Sequence, residues 1–125
     1  MSDWRDRPNA PAPGTALCAV TELPEDNGVE RVFGDGADAF RVAVFRLEDG
    51  SVRAWINECP HVHIPMQFSD GVFCVYEIEG QRDLMCAHHS AVFHIADGRC
   101  WDGPCRGERL VPVDVEVDDG TVRIA

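Results

Sequence analysis

No apolar run in this 125-residue chain approaches the roughly 18 to 20 residues that a membrane-spanning helix requires. The opening segment, Met1-Ser2-Asp3-Trp4-Arg5-Asp6-Arg7-Pro8, lacks the apolar core of a secretory leader. Positive charge is scarce, with 11 Lys and Arg against 22 Asp and Glu, for a net charge of −11. A phosphate-binding surface needs the opposite balance, so a nucleic-acid partner is disfavoured. No helix-period apolar stripe, internal repeat or low-complexity tract stands out. Phosphate loops, Ser-His-Asp arrangements and paired catalytic carboxylates are not indicated either.

What remains fits one small domain with a single hydrophobic core. Six Cys without a leader read as thiols and ligands, not as a disulfide framework, and the expected compartment is the cytoplasm. Residues 1 to 16, with Pro8, Pro11, Pro13 and Gly14 closely spaced, read as a flexible tail in which Trp4 is disordered or loosely docked.

From Leu17 onward the pattern is one of short strands. Phe40 to Leu47 runs into the turn Glu48-Asp49-Gly50, and Val52 to Ile56 returns as the second arm of a hairpin. Gly71 to Ile78 is β-branched and aromatic, and Glu79-Gly80-Gln81 turns it into a second apolar stretch through Leu84 and Met85. Val111, Val113, Val115 and Val117 alternate with Pro112, Asp114 and Glu116 as a half-buried strand, before Asp118-Asp119-Gly120 turns the chain toward Val122 and Ile124. The expected fold class is therefore all-β, sandwich- or barrel-like.

Two ligand pairs lie within this frame: Cys59-Pro60-His61, and Cys86-Ala87-His88-His89. Two thiolates with two imidazoles suit either a [2Fe–2S] centre in which two His replace two Cys on one iron, or a tetrahedral zinc. The flanks favour iron. The second pair is followed by Phe93, Gly98, Gly103 and Pro104. The chain resembles the Rieske domain family, whose signature is a Cys-Pro-His loop, a Cys-x-x-His loop with an aromatic four residues later, then a Gly turn and a Pro-containing loop. The resemblance runs from about Leu17 to the C-terminus.

Carried over residue by residue, it implies that Cys59 and Cys86 bind one iron, and His61 and His89 the other, of one Rieske-type [2Fe–2S] cluster. It also implies a Rieske domain over 17–125, its base formed from the two ends of the chain, with a cluster-binding subdomain of about 56–106 inserted. Two departures are visible. The 24 residues between His61 and Cys86 exceed the family's usual spacing, which an extended hairpin would absorb. Ser90 stands where the family has Gly after the second His, which costs strain if that position needs an unusual backbone conformation.

Spacing selects His89 over His88, since Phe93 then falls four residues later. His63, His88 and His94 carry no motif of their own. Cys18, Cys74, Cys100 and Cys105 read as small buried hydrophobes, although Cys100 and Cys105 are close enough in sequence to meet. Pro60 and Pro65 read as loop-rigidifiers.

With both irons fully ligated by protein, such a cluster offers no site to a small-molecule substrate, and one-electron transfer is its chemistry. The chain is too short to hold in addition the mononuclear iron domain of an oxygenase. The resemblance thus implies a soluble ferredoxin that passes electrons from a reductase to an oxygenase-type acceptor and is probed as a component, not as an enzyme alone. The alternatives are a small redox subunit of a larger complex, such as a nitrite reductase, and a zinc-stabilised binding module. High-potential members carry an extra Cys in each cluster loop and a Ser and a Tyr after the second His. The corresponding positions here are Ile64, His88, Ala91 and Phe93, which implies a low potential.

Overall fold

The computed structural model describes residues 4–60, 64–69 and 71–125, so His61 and His63 lie outside the described residues. Among the described residues, ten short strands form three antiparallel sheets. β1 (Ala16–Ala19), β10 (Thr121–Ile124) and β9 (Val115–Asp118) pair in that order, which joins the two ends of the chain. β2 (Val29–Phe33), β3 (Phe40–Arg46) and β4 (Val52–Ile56) make the second sheet. β5 (Cys74–Ile78), β6 (Gln81–Met85), β7 (Val92–His94) and β8 (Cys100–Asp102) make the third, as consecutive hairpins inserted between β4 and β9.

β3 and the end of β4 are buried on both faces because they carry apolar residues at odd and even positions alike. Phe40, Val42 and Val44 of β3, with Ala54 and Ile56 of β4, join Leu17, Val122 and Ile124 in one core. Ala43, Phe45 and Trp55 point the other way, into a second core with Leu84, Phe93 and Ile95. Polar ties lock the inserted sheet to this divider. Trp55 Nε1 donates to Ile95 O at 3.1 Å, and the buried Arg82 donates to Arg46 O at 2.6 Å.

The expected hairpins are present. Residues Ile78 and Gln81 pair across a two-residue turn, where Glu79 (φ 52) and Gly80 (φ 79) adopt the left-handed conformations that match the twist of the strands. The expected valine strand is shorter than its pattern. Only Val115–Asp118 pairs with β10, whereas 111–113 runs beside β4, with Val113 N–H donating to Ala54 O at 3.0 Å. Val117 is exposed, so the alternation there reports strand geometry but not burial.

The N-terminal segment departs from expectation at Trp4. A 3₁₀ turn over Trp4–Asp6 seats the indole in the base core, 5.8 Å from the Phe40 ring. Its Nε1 donates to Asp114 Oδ2 at 3.4 Å, and Arg5 lies over the ring at 4.5 Å. A large aromatic outweighs the loop-forming composition around it, because burying it recovers more free energy than ordering a few residues costs. Among the described residues, no helix is long and apolar enough to cross a membrane.

Candidate metal centre

The first ligand loop begins where β4 ends. Asn57 N–H still donates to Arg41 O at 2.9 Å, as a continuation of the β3–β4 ladder, and the chain then turns at Glu58 and Cys59. Cys59 N–H donates to Ile64 O at 2.9 Å, which closes the loop across the residues that include His61. The second loop leaves β6 at Cys86 and returns as β7 at Val92. Cys86 N–H donates to Ala91 O at 2.8 Å, and Ser90 N–H to Cys86 O at 3.1 Å.

Both cysteines are fully buried, and the two loops bring their thiols side by side. Burial pushes the Cys86 thiol above its ordinary range, and the adjacent Cys59 sulfur pushes it further. The backbone N–H groups of His88 and His89 oppose this by pointing at the Cys86 sulfur. Donors aimed at a buried sulfur stabilise its thiolate form, which is the form that binds metal. His88 and His89 themselves are exposed, so the thiols form the inner wall and an imidazole the solvent-facing rim. This donor set fits an iron–sulfur cluster held by thiolates on its buried side. Among the described residues, no three His, Cys, Asp or Glu converge as a ligand group, His61 lying outside them.

Ser90 has φ 59, so the position where the sequence substitutes Ser for Gly does require a left-handed backbone. A third loop closes the site. Gly103 comes so near the second loop that a Cβ placed on it would lie 2.7 Å from Ala91 Cα. Beyond Pro104, Cys105 Sγ reaches Cys100 Sγ at 3.3 Å, both as free thiols. Burial, the hydrogen bond to Cys100 and the Cys59 sulfur all push the Cys105 thiol strongly upward, so it stays protonated.

Two features are not anticipated by any motif. Buried Asp83 in β6 accepts from His94 Nδ1 at 2.8 Å, and the His94 ring stacks on Trp101 at 5.5 Å. His94 therefore occupies a strand position, as its sequence context suggests, but with a dedicated carboxylate partner. The second is a polar network around Glu30, Asn57 and Gln67 beneath the first loop. Neither leaves a signal in the sequence, since Asp83 lies in Gln81-Arg82-Asp83-Leu84-Met85 and Glu30 in Val29-Glu30-Arg31-Val32-Phe33, where polar residues are ordinary.

A family model described as "Rieske [2Fe-2S] domain" matches residues 14–117. Among solved structures, an NADH-dependent nitrite reductase small subunit from Mycobacterium tuberculosis is 27% identical with a TM-score of 0.66, the alignment covering 88% of this chain and 91% of that one. A ferredoxin from Sphingomonas yanoikuyae B1 is 23% identical with a TM-score of 0.62, over 89% and 96%. A structure of reduced oxygenase with oxidized ferredoxin in carbazole 1,9a-dioxygenase matches at 24% identity and a TM-score of 0.62, over 88% and 99%. No curated protein sequence matches the chain significantly.

Proposed function

This chain belongs to the Rieske [2Fe–2S] domain family, and on that premise we propose that it is a one-electron carrier whose cluster is held by Cys59 and Cys86 on one iron and by His61 and His89 on the other. The supporting observation is the pair of fully buried thiols from separate loops, one of them receiving two backbone N–H groups, beside an exposed His89. When bound, the cluster supplies reversible one-electron chemistry, at potentials of about −150 to +300 mV across the type. Cys59 and Cys86 exclude water from the inner side, while the amides of His88 and His89 stabilise negative charge on sulfur. His89 at the rim is the port through which an electron reaches a partner.

The partners are a reductase as donor and an oxygenase-type acceptor, and the working compartment is the cytoplasm. The net charge of −11 suits a partner whose docking face is basic. A second reading, a small subunit within a nitrite reductase, is favoured by the 27% identity to the mycobacterial subunit. The two separate on whether the isolated chain is monomeric and turns over with a reductase. We assign residues 17–125 to the domain, about 56–106 of them to the cluster-binding subdomain, and 1–16 to an N-terminal segment whose Trp4 packs into the base core and whose Ala16 opens β1.

Purified protein should hold two irons and two acid-labile sulfides, and give a low-temperature EPR signal after dithionite reduction. One zinc in a colourless protein would end this reading in favour of the metal-stabilised module. The potential should lie near the negative end of the range. Ala91 and Phe93 are both fully buried and have no hydroxyl to donate to sulfur, so the reduced, more negative state is less stabilised. A voltammetric midpoint above about +100 mV at neutral pH would place the protein with the high-potential members instead.

A further inference from the structure

Both ligand loops are irregular, so their spacing has to be held by side chains. Glu30 of β2 points inward, and its side chain is only 11% exposed. Its two carboxylate oxygens accept from Arg41 Nη1 at 3.1 Å each. One also accepts from Asn57 Nδ2 at 2.6 Å, and the other from Gln67 Nε2 at 3.0 Å. Asn57 Nδ2 donates to Gln67 Oε1 as well. Asn57 Oδ1 accepts the Met66 N–H at 2.9 Å, and Met66 O accepts the Ala87 N–H at 3.0 Å. Asn57, Met66 and Gln67 are all buried.

The result is a continuous relay from β2, through the first loop, to the second. Asn57 stands two residues before Cys59, and Ala87 directly follows Cys86. The chemistry at its head is directional. A carboxylate only accepts, so Asn57 must turn its amide nitrogen toward Glu30. Its oxygen is then obliged to face the Met66 N–H. A neutral acceptor that also donates would remove that obligation.

We infer that Glu30 is a positioning residue for the cluster: its buried carboxylate orients the Asn57 amide, and through Met66 it sets the distance between the loops that carry Cys59 and Cys86. This rests on the ligand assignment above. The arrangement also explains why a charge is kept where desolvation opposes it. Arg41 and the two amides satisfy the carboxylate, and its sign enforces one amide orientation that a neutral group would leave free.

The test compares Glu30→Gln and Glu30→Ala with Glu116→Gln, which removes the same charge from an exposed position on β9. In the holoprotein, iron content, midpoint potential and the g-values of the reduced cluster are read. In the same cluster-loaded protein, amide exchange is read at Met66 and Ala87. Glu30→Gln should assemble the cluster with shifted or broadened g-values and a displaced midpoint, and the Met66 amide should exchange about tenfold faster. Glu30→Ala should lose part of its iron, and Glu116→Gln should match the parent in every reading.

If both Glu30 variants kept full iron, the parent g-values and the parent midpoint, with only the melting temperature lowered, Glu30 would be a brace for the fold and the inference would fall. If Glu30→Ala does not fold, Glu30→Gln decides alone. A Cys59→Ala variant run alongside separates the two levels: retention of both irons there overturns the ligand assignment, whereas loss of iron there with an unaffected Glu30→Gln overturns only the inference.

Discussion

The two cores on either side of the β2–β3–β4 sheet are built from different materials. The base core, around Trp4, Leu17, Phe40, Val42, Val122 and Ile124, is aliphatic and aromatic, with Cys18 its one sulfur-bearing residue among the described residues. The core beneath the ligand loops includes Cys59, Met66, Cys86, Cys100 and Cys105. The base is stable by burial alone, since branched and aromatic side chains fill space and lose apolar surface to each other. Thiols are smaller, and the region they line is irregular loop held by a few hydrogen bonds. On the proposed ligand assignment its order depends on the cluster, and binding the cluster is folding free energy for that half of the molecule.

The sharpest break between the halves should come from the second imidazole. Replacing His89 by Ala is expected to abolish cluster assembly, while replacing His88, one residue earlier and equally exposed, leaves it in place. In the resulting apo chain, amides of the loops at 57–60, 64–69, 86–91 and 103–107 should lose exchange protection, and those of β3 and β10 should keep theirs. Uniform loss of protection over both halves would show one cooperative unit and end the comparison. An apo His88 variant with a coloured His89 variant would reverse the register of the loop.

The converse change weakens the base and spares the site. Trp4→Ala empties a position packed against Phe40 and removes the Asp114 contact, at a cost of about 3 kcal/mol in urea unfolding. The EPR signal of the reduced protein should be unchanged. A loss under about 0.5 kcal/mol, the range of ordinary surface changes, would mean that the N-terminal turn contributes nothing in solution.

Gly103 lies at the seam between the third loop and the second. It has φ 98, and an added methyl meets the Ala91 backbone, which cannot yield as a side-chain tip would. Gly103→Ala should cost about 1 to 3 kcal/mol and accelerate cluster loss on dilution into chelator. Parent-like retention of iron would show that the two loops move independently.

These contrasts follow how legible each half is in the sequence. The hairpin of β3 and β4 and that of β5 and β6 are visible because alternation and turn residues such as Glu79-Gly80 act locally. The two thiols proposed as ligands are visible because metal chemistry constrains spacing, and Cys59 and Cys86 do meet from loops 27 residues apart in sequence. Glu30, Asn57 and Gln67 are invisible beforehand, as are Asp83 and His94. Each is an ordinary polar residue until strand register brings it to a partner across tens of residues. Trp4 was hidden by its neighbours, since Pro-rich composition describes the segment and one side chain decides where it goes.

The smallest effect expected is a gain. Ser90 holds φ 59 in the second ligand loop, where a β-carbon crowds the following peptide at a cost of about 1 to 2 kcal/mol. Glycine removes that strain but gives the unfolded chain more freedom, at about 0.5 to 1 kcal/mol. The difference favours Ser90→Gly by about 0.5 kcal/mol. Because the strain sits next to His89, the gain belongs to the half of the molecule that the cluster orders. It should therefore appear as slower exchange of the Ser90-loop amides in the cluster-loaded protein, with the exchange of β10 unchanged. A variant less stable than the parent would mean that the serine side chain contributes more to this loop than its backbone conformation costs.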